Sequence, residues 1–385
     1  MNVERNPDVN APWLPYGKQW IDESDIAAVT AVLRGDWLTT GPAVPAFEAA
    51  IAAVAGAPAV SVTSGTAALH AAYAGLGLGP GDEVITTPMT FIATASTAAI
   101  TGARVKFADI SADTANLDPA AVEPLLTSRT AAIAGVDYAG HPIDIDGLRP
   151  LADRVGAVLM EDAAHSIGGS YRGRPVGSLA DVTTFSFFPT KNLTTAEGGA
   201  VTSTQPDMLA QIRRFARIGR AQDAAELRHA DEGDWWYEMP SFGLNYRLPD
   251  VLCALGTNQL GRLPAFVARR TQLVATYNRL LADVPGLALP VQREGVSPAW
   301  HLYSVRIRYG RRREVFEKLR AAGIGGQVNY IPVYWHPIFE DSGYVRGMCP
   351  VAEQFYAEQL SLPLYPAMTD ADVLRVVEAL AAVLE

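Results

Sequence analysis

The stretch Thr184-Phe185-Ser186-Phe187-Phe188-Pro189-Thr190-Lys191-Asn192-Leu193-Thr194-Thr195-Ala196-Glu197-Gly198-Gly199 sets a lone lysine among apolar, hydroxyl and glycine residues. Lysines usually lay their stem on apolar surface and keep the ammonium in water. That outcome fits poorly between Pro189 and the glycine-containing turn at 194–199. Counting back 29 positions (191 − 162) reaches Asp162, which closes the apolar run Ala157-Val158-Leu159-Met160-Glu161. A carboxylate ending a buried strand needs a donor or a cation, unless it caps a helix or serves a structural salt bridge. An amine and an anion so placed are the two protein groups that pyridoxal phosphate chemistry most needs. The amine bonds to the aldehyde, and the anion faces the protonated pyridine nitrogen. A partly desolvated pocket would lower the lysine pKa enough for it to attack a carbonyl and carry protons.

Outward from this pair, short β-rich runs alternate with Ala-rich helical stretches. Strands are expected over 60–62, 83–86, 105–107, 130–135, 157–160, 183–187 and 200–203, with helices over 66–75, 93–101 and 119–126. Such alternation implies an α/β fold whose largely parallel sheet is covered on both faces. Ligands of such sheets bind beyond the carboxyl ends of the strands, where Ser64, Thr90, Asp162 and Lys191 fall. Beyond Leu248 the pattern changes to a long helix over 249–281, a β-like run over 302–307 and helices over 312–322 and 370–384. This predicts a large domain over 1–248 and a smaller C-terminal α+β domain over 249–385. The Trp/Tyr-rich stretch 231–237 reads as an ordered loop.

The 385 residues suffice for a substantial core, and 49% hydrophobic with 19% charged residues is ordinary for a soluble chain. A net charge of −10 argues against nucleic acid as partner. The tract Arg311-Arg312-Arg313 is too short to change that. Cys253 and Cys349 give neither a disulfide framework nor metal-ligand spacing, and Cys253 reads as core. No metal is expected. The opening residues lack an apolar leader and no apolar run is long enough to cross a membrane, so the expected location is the cytoplasm.

Thr63-Ser64-Gly65-Thr66-Ala67-Ala68-Leu69 follows a strand and opens a helix. Its free N–H groups and hydroxyls can hold a phosphate; the alternative is that Ser64 or Thr66 simply caps the helix. Ser186, five residues before Lys191, can also reach a phosphate. His165, three residues after Asp162, can hydrogen-bond the cofactor ring, although a lone histidine is more often structural. Phe91 can stack on the ring face or serve as core.

Together these segments resemble the DegT/DnrJ/StrS family of sugar aminotransferases, fold type I pyridoxal phosphate enzymes similar to aspartate aminotransferase. The matches run nearly end to end. They include Trp37-Leu38-Thr39-Thr40-Gly41-Pro42, Glu161-Asp162-Ala163-Ala164-His165, Phe185-Ser186-Phe187 with Lys191, Gly243-Leu244-Asn245-Tyr246-Arg247, Trp300-His301-Leu302-Tyr303 and Leu362-Pro363-Leu364-Tyr365-Pro366. The resemblance implies that Lys191 bonds to the cofactor, Asp162 pairs with the pyridine nitrogen and His165 contacts the ring-hydroxyl side. It implies a phosphate held by Ser64, Gly65, Thr66 and Ser186, with Phe91 stacked on the ring. Asn245 would reach the phosphate of a neighbouring subunit, with Arg247 close by, which implies a homodimer with shared active sites.

Within the family the chain looks most like PseC-type enzymes, which aminate C4 of a UDP-linked 4-keto-6-deoxy-N-acetylhexosamine using L-glutamate. By that resemblance Leu38, Thr39, Thr40, Phe188, Tyr330 and Tyr334 line the substrate side. Phe188, Asn329 and Tyr334 stand where those enzymes commonly carry histidines. Alternatives within the family are a C3 aminotransferase and a dTDP-sugar or cyclitol aminotransferase. The family's dehydratase branch replaces the lysine by histidine, and Lys191 opposes it. The intact Lys191, Asp162 and His165 set opposes a non-catalytic binding protein or regulator, and no Gly-x-Gly-x-x-Gly supports a nicotinamide enzyme.

Overall fold

The computed structural model describes residues 12–221 and 223–384. The opening residues read above for a leader lie outside them. Two helices, α1 (Glu23–Leu33) and α2 (Ala43–Ala55), precede the first strand. Asp22 caps α1 by accepting from the Ser24 and Asp25 amides. There follow β1 (Ala59–Val62), α3 (Gly65–Gly75), β2 (Glu83–Thr86), α4 (Ala93–Ile100), β3 (Arg104–Phe107), α5 (Pro119–Val122), β4 (Thr130–Val136), α6 (Ile145–Val155) and β5 (Val158–Asp162). After the small strands β6 (Ser170–Tyr171) and β7 (Arg174–Pro175) come β8 (Val182–Ser186), β9 (Gly199–Thr202) and α7 (Pro206–Ala216). The helix expected over 119–126 stops early because Pro124 offers no N–H to continue it, and a 3₁₀ turn (Glu123–Leu125) takes over.

Seven strands form one sheet in the order β1-β9-β8-β5-β4-β2-β3. Only β9 runs against the others, so the sheet is mixed but mostly parallel. Successive strand residues enter different cores. Ala132, Ala134 and Met160 pack on one face, Ile133 and Leu159 on the other. That two-sided burial explains why these strands read as continuous apolar runs.

The 32-residue helix α8 (Asp250–Leu281) spans about 48 Å. Its first half packs on α1 and α2, and Arg262 reaches Asp22 and Asp25 at 2.9 and 2.8 Å. Its second half joins another core with β10 (Leu287–Ala288), β12 (Tyr303–Ile307), α9 (Arg312–Ala321), β13 (Gln359–Leu362) and α12 (Asp370–Leu384). In chain order β11 (Val296–Ser297) lies before β12, and α10 (Pro337–Glu340) and α11 (Pro350–Glu358) precede β13. The second sheet has the order β10-β12-β13, and a third pairs β11 with β6 and β7. Leu14 packs in the C-terminal core and bridges Ile324. The segment around it is therefore tied to the core built by the C-terminal elements. Cys253 and Cys349 are both buried and free.

Candidate active site

The six strands that run in one direction end on the same edge of the sheet. Asp162 is the last residue of β5, level with Val136 on β4 and Thr184 on β8. Beyond β8 the chain is held in a tight loop. The Phe187 carbonyl accepts from the Thr195 amide at 3.0 Å and from Thr194 Oγ1 at 3.1 Å, while the Lys191 amide donates to Phe188 O at 2.8 Å. Asn192 Nδ2 ties the loop to Ala299 O at 2.9 Å. Lys191 is held half-buried within interaction range of Asp162. Burial pushes the Lys191 ammonium down to about 8, against the opposing pull of the Asp162 charge.

Asp162 is buried, and desolvation raises its pKa despite three favourable neighbours. Thr94 Oγ1 donates to its Oδ2 at 2.6 Å, the Ala164 amide to its Oδ1 at 3.2 Å, and the Lys191 charge also favours the anion. Thr90 hydrogen-bonds Thr94 at 2.7 Å. The carboxylate is thus oriented but under-compensated, which suits a further cationic donor.

His165 lies on the turn after β5, with Nε2 3.1 Å from the Tyr330 hydroxyl. Its pKa is pushed well below the usual range by burial, then by the Lys191 charge, so the ring is neutral. Its Nδ1 and the Thr184 hydroxyl are buried with no hydrogen-bond partner. Phe91, by contrast, is 57% exposed, with its ring 6.2 Å from Tyr330. It is not core and presents a free aromatic face.

At the other end of the site Ser64 caps α3, its Oγ accepting from the Ala67 amide at 3.0 Å. A Cβ on Gly65 would stand 2.7 Å from Ser186 Cβ, and one on Gly199 2.4 Å from Ser64 O. The absence of side chains at these two positions lets the start of α3 close onto the end of β8. Exposed Thr66 and half-buried Ser186 complete a cradle of hydroxyls and free amides at a helix N-terminus. The segment 245–247 runs along the end of β1, with Arg247 bridging Val62 and the Thr63 amide donating to Tyr246 O at 2.9 Å. Asn245 is exposed.

Leu38, Thr39, Thr40 and Phe188 are exposed, and Tyr330 is half-buried beside His165. Tyr334 corrects the sequence reading. It has no exposed surface, packs on Phe107, and spends its hydroxyl on Glu353 at 2.6 Å and the Cys349 amide at 3.2 Å. Two residues escaped sequence reasoning: Thr94, whose contact spans 68 positions, and His301, whose ring lies 4.3 Å from that of His165.

These residues fit pyridoxal phosphate. A lysine of lowered pKa, a buried anion short of a cation, a neutral histidine with an unused nitrogen and a hydroxyl-lined helix N-terminus match its aldehyde, pyridine nitrogen, ring hydroxyl and phosphate. Among the described residues no group of three His, Cys, Asp or Glu side chains could hold a metal, and no helix is long and apolar enough to cross a membrane.

Comparison with known proteins agrees. The sequence profile of the DegT/DnrJ/EryC1/StrS aminotransferase family matches residues 19–381. The spore coat polysaccharide biosynthesis protein SpsC of Bacillus subtilis is 40% identical over 374 residues, covering 95% of this chain and 96% of its own. Spr1654 of Streptococcus pneumoniae, solved with the cofactor in its pyridoxamine (PMP) form, superposes with a TM-score of 0.91 at 30% identity, over 96% of this chain and 98% of that one. It is also solved in its pyridoxal (PLP) form. Helicobacter pylori PseC, an aminotransferase involved in pseudaminic acid biosynthesis, gives 0.90 at 29% identity, over 97% and 99% of the two chains.

Proposed function

We propose, from the premise that this chain belongs to the DegT/DnrJ/EryC1/StrS aminotransferase family, that it moves an amino group from L-glutamate to C4 of a UDP-linked 4-keto-6-deoxy sugar. The family makes it a pyridoxal-phosphate-dependent sugar aminotransferase of the aspartate aminotransferase-like fold. The observation that carries the reading is the half-buried Lys191, brought down to about 8, against buried Asp162.

When bound, the cofactor supplies an electrophilic carbonyl carbon and a ring that withdraws electrons from the donor carbon. Lys191 would hold the aldehyde end of the cofactor, and its Nζ, when not so engaged, would take the proton from the donor Cα and return one as general base and acid. A value near 8 leaves a useful neutral fraction near neutral pH. Asp162, aimed by Thr94 and the Ala164 amide, would face the pyridine nitrogen and favour its protonated form. Neutral His165 orients the ring from its hydroxyl side. Ser64, Gly65, Thr66 and Ser186 hold the phosphate, and the exposed face of Phe91 stacks on the ring.

The working unit is a homodimer whose Asn245 and Arg247 serve the partner's site. In support, Ile218, Leu244 and the fully exposed Phe242 leave an apolar surface around exposed Asn245. Leu38, Thr39, Thr40, Phe188 and Tyr330 face the sugar. Phe188, at 46% exposure, gives that side an apolar wall where PseC-type enzymes carry a histidine. A panel of UDP- and dTDP-linked 3-keto and 4-keto sugars, each incubated with glutamate and read by mass and NMR, tests the assignment. Amination of the UDP-linked 4-keto sugar is expected. Turnover confined to a 3-keto or dTDP-linked sugar overturns it.

A further inference from the structure

The segment 299–302 leads from β11 into β12 and is gripped from several sides. Asn192, the neighbour of Lys191, donates to Ala299 O. The amides of Ala299 and Leu302 reach the carbonyls of Gly140 and Ala139 at 3.0 and 3.3 Å. Arg270 on α8 donates from Nη1 to the carbonyls of Trp300, His301 and Leu364 at 3.2, 3.2 and 2.9 Å. Arg270 is 1% exposed, and among the described residues no carboxylate pairs with it. A guanidinium buried with carbonyl partners alone is an expensive choice for a structural clamp. Trp300 there has φ 49°, and the next side chain, His301, is buried. The His301 ring lies 4.3 Å from the His165 ring with 36° between their planes, and Nδ1 of each is buried without a partner.

We propose that His301 is a positioning residue that fixes the ring of His165 by packing its own ring against it at a tilt, with Arg270 the clamp that holds His301 in place. The inference rests on the reading of His165 as the residue facing the cofactor ring. It also gives the C-terminal part of the chain a direct part in the cofactor pocket. The Tyr330 hydroxyl already holds Nε2 of His165, and His301 adds a ring contact that further limits rotation about the side-chain torsions. The pairing suits two neutral rings. His301 is held well below the usual histidine range by burial first, with His165, Lys191 and Arg270 adding to it. The charged or titratable groups acting on the pair are Lys191 and Arg270, with the Tyr330 hydroxyl on His165.

The test is equilibrium binding of pyridoxal phosphate to the apoprotein, followed by tryptophan fluorescence, in a double-mutant cycle of His165→Ala and His301→Ala. Each single variant is expected to bind about tenfold more weakly, the scale of one stacked ring pair, and the double variant hardly worse than either. His301→Phe, which keeps a flat ring without nitrogens, should bind within about twofold of wild type. Arg270→Met should reproduce His301→Ala, and if it does not fold the cycle alone decides. Additive losses, or His301→Ala binding as wild type while His165→Ala is impaired, overturn the inference. Wild-type binding by His165→Ala instead overturns the site reading on which it rests.

Discussion

Lys191 should cost the apoprotein stability, and removing it should show how much. The drop from its ordinary value of 10.5 to about 8 corresponds, at about 1.36 kcal/mol per pH unit, to a penalty of about 3 kcal/mol. That is a ceiling, because Lys191 also supplies a charge that favours the Asp162 anion, and this support vanishes with it. A gain of about 1–2 kcal/mol is therefore expected for Lys191→Met at pH 7. The sign follows from proton counting. Below about pH 8 the lysine is charged in both states and the folded chain bears the whole penalty. As pH rises towards 10.5 the unfolded chain loses its proton too, and the penalty fades. Urea unfolding of wild-type and variant apoproteins, at one fixed protein concentration and at pH 7, 9 and 10.5, measures the difference. The variant should be more stable at pH 7 and the two should converge at the alkaline end, while turnover is abolished. A variant less stable at pH 7, or a gain independent of pH, would refute the argument that Lys191 is held desolvated for chemistry.

Three further outcomes follow from the same geometry. Asp162→Asn keeps the hydrogen bond from Thr94 but not the charge, so the single-turnover rate with glutamate should fall on the order of 10²–10³-fold; an unchanged rate would remove Asp162 from the chemistry. Gly65→Ala drives a Cβ to 2.7 Å from Ser186 Cβ, so pyridoxal phosphate affinity, measured by fluorescence titration, should drop at least about tenfold, with an overpacking cost of about 1–3 kcal/mol in stability. Tyr334→Phe removes one of the donors to Glu353, which keeps Trp335 and the Gly347 amide, and the acceptor of the Cys349 amide, and should cost about 1–3 kcal/mol in urea unfolding with an unchanged KM for the sugar. A raised KM with unchanged stability would return Tyr334 to the substrate side.

The sheet was legible because its strands are buried on both faces, so Val84-Ile85 or Leu159-Met160 need no alternation to be recognised. Lys191 and Asp162 stood out because each sits in a local setting that an ordinary surface residue avoids. Features created by tertiary approach left no local mark. Nothing near Thr94 points to Asp162, and nothing around Arg270 foretells three carbonyls from 300, 301 and 364. The helices α1, α2, α6 and α7 were not read from the sequence, and the reversal of β9 depends on pairing, not on composition. Tyr334 was misread because a motif position carried it to the substrate side, whereas packing on Phe107 and the Glu353 carboxylate turn it into the core.

The central claim, that Lys191 carries the cofactor, is tested most directly by borohydride reduction of the holoenzyme followed by peptide mass spectrometry. A single phosphopyridoxyl group on the peptide containing Lys191 is the predicted result. The group on any other lysine, such as Lys18, or no fixed cofactor at all, would contradict it.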